Sequence, residues 1–321
     1  TAPAVSVGGA DFSNINEDNA ALKTLSTGKV VSAAGRSNNP SEPQFNNTPW
    51  LAVSGGLIST QNVANATNTG QVWDKSPDFA EVGSDGSYVL AWSSLNRGIL
   101  TQRFDASGSP INPILSSPFI NDGLRISTNT SAAPKVAGLG TSGAYVVTWS
   151  EGSSIKYQVV NANNSLTGNP QVTLNGDAAS AASADSDPRI TSIGADGSVV
   201  ITWTGVDSNG DNSVFVQKLS PTGSIVGNPV VKLEANGVTT GADNSAKVTA
   251  VGNAGAYVVS WSGVDEGGDT SVYVQKFNVS GSPDGAATKL EAIGNTSSAD
   301  TEPQVASTGT DGSYVVAWLG S

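Results

Sequence analysis

Along most of this chain the apolar residues fall in short runs, separated by stretches of Gly, Ser, Asn, Asp and Thr. One run recurs: GSYVLAW at 86–92, GAYVVTW at 143–149, GSVVITW at 197–203, GAYVVSW at 255–261 and GSYVVAW at 312–318. Runs this short, rich in Val, Tyr and Trp and bounded by turn residues, predict β-strands and no helix. Side chains alternate along a strand, so Tyr314, Val316 and Trp318 share one face while Val315 and Ala317 share the other. Both faces are apolar, which predicts sheets covered on both sides by neighbouring sheets.

The tryptophans of these runs, Trp92, Trp149, Trp203, Trp261 and Trp318, recur at a nearly constant interval. A period of this kind marks a repeat architecture. A proline stands at one fixed offset before four of them: Pro77, Pro134, Pro188 and Pro303. After the first four comes a second strand with a glutamine, at Gln102, Gln158, Gln217 and Gln275, then a Gly turn and a short last strand. Each repeat thus predicts four strands, a to d. Solenoid repeats run shorter, roughly 20 to 45 residues, and immunoglobulin-like sandwiches need about 100. Four-stranded sheets stacked face to face around an axis are propeller blades.

The chain ends refine this expectation. Residues 28–45, GKVVSAAGRSNNPSEPQF, align with 288–305, TKLEAIGNTSSADTEPQV, without a gap. The reading is a six-bladed β-propeller of four-stranded antiparallel blades, in which N- and C-terminal strands share one blade. Residues 1–321 form a single repeat domain with repeats at roughly 41–75, 76–130, 131–182, 183–240, 241–298, and 299–321 completed by 1–40. Residues 29–34 are expected to pair with strands of 303–318, in the same chain or in a neighbouring copy.

Charge and composition narrow the chemistry. With 15 Lys plus Arg against 27 Asp plus Glu, the net charge is −12, a field that repels nucleic acid and anionic membranes. There is no Cys and no His, which removes the thiolate nucleophile, the usual general base and most zinc or haem ligands. What remains for catalysis is a carboxylate pair. No apolar run is long enough to cross a membrane as a helix. The chain contains no Met and begins at Thr1, which predicts a lost leader or excision from a longer exported chain.

The repeats differ most between strands b and c. The stretches from Trp203 to Gln217 and from Trp261 to Gln275 are longer than those from Trp92 to Gln102 and from Trp149 to Gln158. The extra length is acidic: GVDSNGDNS at 205–213 and GVDEGGDTS at 263–271. Asp207, Asn209 and Asp211 in one loop, and Asp265 and Asp269 in the other, alternate oxygen ligands on a Gly-kinked loop, as a chain wraps calcium. Calcium is therefore the candidate ion. Asp, Asn and Gly are also ordinary turn residues, so a plain turn stands beside the metal reading. Asp185, Asp187, Asp243 and Asp300, in loops from strand d to the next strand a, are expected to join these aspartates on one acidic rim. Trp50 and Trp73, outside the repeat register, are the candidate exposed aromatics.

The pattern P-x-V-A-x-x-G-x-D-G-S-Y-V-V-x-W, followed by a Gly/Asp loop and S-V-Y-V-Q-K-F, resembles repeats of very large secreted bacterial proteins of the RTX, adhesin and surface-layer type. The nonapeptide G-G-x-G-x-D of RTX tracts is missing. The resemblance implies a secreted or cell-surface bacterial protein: a non-enzymatic structural or adhesive module of a layer, matrix or filament, stabilised by calcium. Its partners would be neighbouring copies, other surface proteins or glycans. Two other classes stand behind this one, a glycan-binding propeller and, last, a carboxylate-dependent glycoside hydrolase or lyase.

Overall fold

The structure is a computed structural model that describes residues 20–24, 30–34, 50–53, 61–62, 74–94, 97–111, 123–130, 132–175, 184–235, 240–291 and 299–320. Trp73 lies outside the described residues, as does the side chain of Trp50. Every described element is a β-strand, every pairing is antiparallel, and the strands make six sheets in chain order. The chain divides into two compact units, Thr1–Pro134 and Lys135–Ser321.

In the first unit, β1 (Ala20–Thr24), β2 (Val30–Ala34), β3 (Trp50–Val53) and β4 (Gln61–Asn62) form one meander. The second sheet holds β5 (Asp74–Glu81), β6 (Tyr88–Ser94), β7 (Gly98–Phe104), β8 (Pro110–Ile111) and β9 (Leu124–Ser127). Its fourth position is split: β8 pairs with Arg103 and Phe104, while β9 pairs with Ile99 to Thr101 of the same strand.

The sharing of one blade by the two chain ends does not occur as expected. One edge of β2 is taken by β1 and the other by β3, so Val30–Ala34 has no edge left for the C-terminal strands. The alignment of 28–45 with 288–305 compared single strands, whereas a strand needs both edges placed. Here the neighbours in sequence supply them, β1 on one side and β3 on the other.

The second unit repeats one meander. It holds β10 (Lys135–Leu139), β11 (Ala144–Glu151), β12 (Ser154–Val160) and β13 (Leu166–Leu174), then β14 (Ser186–Ile193), β15 (Ser198–Val206), β16 (Asn212–Leu219) and β17 (Ile225–Leu233). Next come β18 (Asp243–Val251), β19 (Ala256–Val264), β20 (Thr270–Phe277) and β21 (Thr288–Leu290), and finally the pair β22 (Asp300–Ser307) and β23 (Tyr314–Gly320). β13 follows a turn at Asn161–Ser165 whose left-handed position is Asn164 at φ 62°, and β17 follows one at Ser220–Ser224 where Gly223 takes that position at φ 80°.

The alternation read from the sequence sets how these sheets stack. Val199, Ile201 and Trp203 of β15 pack against Val146, Ile155 and Tyr157 of the preceding sheet. Val200 of β15, on the opposite face, joins Trp261 and Tyr273 of the following one. Trp92, Trp149, Trp203 and Trp261 are fully buried. Directly opposed residues stack across strands, Trp261 on Tyr273 at 5.6 Å and Tyr257 on Phe277 at 4.6 Å. The last sheet departs from this: Val146, Val200 and Val258 are wholly buried, but the equivalent Val315 is 52% exposed.

The first strands β5, β14, β18 and β22 each carry a bulge. Ser76, Asp187, Ser245 and Glu302 share one repeat position, adopt φ of 53°, 48°, 58° and 53°, and mark a register shift in the pairing with the second strand. A bulge of this kind bends the strand and re-aims the side chains that follow.

Candidate functional site

The acidic loops close on themselves. Asp207 Oδ1 accepts from the backbone N–H of Asn209 at 2.7 Å and of Gly210 at 3.2 Å, and Asp265 Oδ1 accepts from Gly267 at 2.7 Å and Asp269 at 3.2 Å. These are Asx turns, in which a short carboxylate takes the place of a backbone acceptor. The second oxygen of each aspartate faces a lysine of the fourth strand. Lys232 Nζ lies 2.8 Å from Asp207 Oδ2 and also bonds Glu234, while Lys289 bridges Asp265 and Glu291.

Each loop carries a second aspartate in contact with the first. Burial pushes Asp211 up, and the adjacent Asp207 and Glu234 add to the rise. Neither oxygen of Asp211 receives a hydrogen-bond donor. Burial opposes ionisation of Asp207, yet Lys232 and the Asn209 amide hold it well below the usual carboxylate range. The second loop copies this division: Lys289 lowers Asp265, and contact with Asp265 raises Asp269. Each pair thus holds one ionised carboxylate beside one shifted toward its protonated form.

The structure therefore brings Asp207 together with Asp211 and Asp265 together with Asp269, while Asn209 donates weakly to Asp207 at 3.4 Å. A lysine ammonium faces the second oxygen of each inner aspartate, Asp207 and Asp265, both named above as candidate calcium ligands. Among the described residues, no group of three or more His, Cys, Asp or Glu side chains is arranged to hold a metal ion.

The wider rim is smaller than expected. Asp185, Asp243 and Asp300 are buried, at 2%, 0% and 1% exposure, because they serve the core. Asp243 Oδ1 accepts from Trp261 Nε1 at 3.0 Å and from the Ala235 N–H at 3.1 Å. A side chain at Gly263 or Gly205 would place its Cβ 2.0 Å from Asp243 or Asp185, so these glycines leave room for the carboxylates. Burial pushes Asp243 up to about 8 against the hydrogen bonds from Trp261 and Ala235. The signal was present in the sequence: Asp74, Asp185, Asp243 and Asp300 all stand at one offset before a repeat tryptophan. The lysines and glutamates were also legible as the repeated K-L-E at 232–234 and 289–291.

No protein-family model matches the chain, and no curated protein matches it. Solved structures do. The α-L-arabinanase of Penicillium chrysogenum complexed with arabinobiose is 13% identical, with 94% of this chain and 92% of that one covered, at a TM-score of 0.52. A triple arginine-to-alanine mutant of AofleA from Arthrobotrys oligospora is 11% identical over 96% of this chain and 80% of that one, at 0.51. The endo-arabinase of Bacteroides thetaiotaomicron is 14% identical over 76% and 88%, at 0.37. The first two likenesses show an all-β, propeller-like fold.

They also correct the functional expectation. The sequence reading assigned a non-enzymatic structural or adhesive module and ranked a glycoside hydrolase last, but an arabinanase shares the layout over nearly the whole chain. That ranking rested on missing His and Cys and on the lack of a conspicuous carboxylate pair in the core. The first does not bear on glycoside cleavage, which needs only carboxylates, and the second overlooked the loops, where carboxylates do stand together.

Proposed function

We propose that this chain is a carbohydrate-active protein that cleaves glycosidic bonds at the loop end of its sheets, using carboxylates carried there. The observation behind this reading is the division of protonation within each loop, Asp207 ionised beside a raised Asp211 and Asp265 ionised beside a raised Asp269. Environments that push two titratable groups apart are how one site supplies both an acid and a base. The fold shared with an arabinanase supports the same chemistry.

The two aspartates of one loop touch, whereas carboxyls that flank a scissile bond stand roughly 5 to 9.5 Å apart. In this reading Asp211 donates the proton to the leaving oxygen, and Glu234, part exposed at the loop end, is the second carboxyl group. Asp269 and Glu291 repeat the arrangement one sheet on. The six sheets are read as six blades, the last of them two-stranded among the described residues, and an exported chain would meet polysaccharides outside the cell.

The test is release of reducing ends from arabinan and from uronic-acid polymers between about pH 4 and 8. Asp211→Asn with Asp269→Asn should lower the rate by about a hundredfold or more. Absence of any release, or wild-type turnover in the double variant, would overturn the reading. Binding without release would reassign the site to glycan capture.

A further inference from the structure

Basic residues are scarce in this chain, yet three of them fall at one repeat position in three successive sheets. Lys135, Arg189 and Lys247 stand at the same offset before Trp149, Trp203 and Trp261. Each is paired with the residue just before that tryptophan: Lys135 with Thr148, Arg189 with Thr202 and Lys247 with Ser260. They lie on β10, β14 and β18, first strands that run side by side with Cα atoms within 8 Å. All three side chains are half-buried.

The surroundings leave this positive charge only partly answered. Arg189 pairs with Asp187 at 2.8 Å, and its Nε is buried without a partner. Among the described residues, the side chains of Lys135 and Lys247 make no hydrogen bond or ion pair. Burial lowers Lys247, the charges of Arg189 and Lys135 lower it further, and Asp187 and Glu302 pull the other way. Three cations therefore face two carboxylates. Beside them, the hydroxyls of Thr202 and Ser260 are fully buried and unpartnered. Directly opposed residues of a strand pair share a face, so these hydroxyls lie on the side of the sheet that Arg189 and Lys247 occupy.

We propose that Lys135, Arg189 and Lys247 form a cationic stripe that binds the carboxylates of an acidic saccharide, and so selects the class of glycan handled at the adjoining loops. The inference rests on the glycan reading above and names its substrate class. A polymer with one carboxylate per sugar offers repeated anions, as the stripe offers repeated cations. Because Thr202 and Ser260 are wholly buried, the contact is made by the half-buried cations themselves. Bulges at Asp187 and Ser245 stand just ahead of Arg189 and Lys247 in their strands. The acidic loops begin shortly beyond Thr202 and Ser260, at the same end of the sheets.

The experiment is calorimetric titration of the full chain with oligogalacturonate, with the same oligomer methyl-esterified and with a neutral arabino-oligosaccharide. The free acid should bind about tenfold tighter than its ester, an advantage lost in about 0.5 M salt. Lys135→Met with Lys247→Met should abolish that advantage, and Lys135→Arg with Lys247→Arg should retain it. Equal binding of acid and ester overturns the stripe but leaves a glycan-active protein standing, as does acid binding that survives the methionine variant. If no saccharide binds, the glycan reading fails and the stripe with it. Should the methionine variant not fold, the salt series on the wild type decides: an acid preference that persists in high salt sinks the proposal.

Discussion

In the third strands β12 and β16 a glutamine spans the gap to the fourth strand where the two would otherwise drift apart. Gln217 Nε2 donates to the carbonyls of Lys218 at 2.9 Å and Val226 at 3.0 Å, where the pairing of β16 with β17 slips. Gln158 bridges Val159 and Thr167 in the same way, which explains why a polar residue recurs inside a buried strand. Gln217→Leu keeps the volume but strips both carbonyls of their donor, and should cost about 1 to 3 kcal/mol in urea unfolding. Asp243 gives a second test. Its carboxyl is raised from 3.8 to about 8 in the folded protein, so the fold binds more protons than the unfolded chain between those values. The stability it contributes is present below about pH 4 and lost as pH rises through about 8. Melting temperatures across this window should fall in the wild type and flatten in Asp243→Asn. The period of the glutamines was visible in the sequence, but their job was not, because it depends on a slip between strands. The lysine partners of Asp207 and Asp265 were hidden for a similar reason: Lys232 is far along the chain from Asp207, and only the register of β17 brings them together.

At the level of the strand, the bulge is the costly element. A left-handed residue with a side chain is disfavoured by roughly 1 to 2 kcal/mol, and four repeats accept it at the same place. Ser245→Gly should therefore be neutral or mildly stabilising, while the β-branched Ser245→Val should lose about 1 to 2 kcal/mol, both read from thermal or urea unfolding. Equal stability of the two variants would mean that the bulge relaxes freely. The second strands were the most legible part of the fold, since a run such as GAYVVSW carries its own turn, its apolar faces and its tryptophan. Bulges were illegible because Ser, Asp and Glu at that position share no chemistry beyond tolerating exposure. The edge assignment of β2 failed because sequence identity between two strands says nothing of which neighbours reach them first.

Across the whole chain, the charge of −12 is less available to cations than its total suggests. Lys232 and Lys289 already answer the inner aspartates of the acidic loops. Millimolar calcium added to chelator-treated protein should thus move the wild-type melting temperature little, whereas Lys232→Met with Lys289→Met should gain a calcium-dependent rise that grows with concentration. A clear rise in the wild type that Asp211→Ala removes would instead support calcium at the loop. Composition had pointed to exported, acidic β-repeats, and the propeller-like layout followed from the apolar faces. The enzyme-bearing neighbourhood of that layout was out of reach, because fold likeness at 13% identity leaves no motif to read. The split fourth strand of the second sheet carries a practical consequence. Two short pieces, Pro110–Ile111 and Leu124–Ser127, together hold one edge of β7, so that edge is secured on both sides of the stretch that joins them. Trimming either piece would bare half of that edge, and an unpaired strand edge recruits a second chain, so such a variant should aggregate where the parent does not.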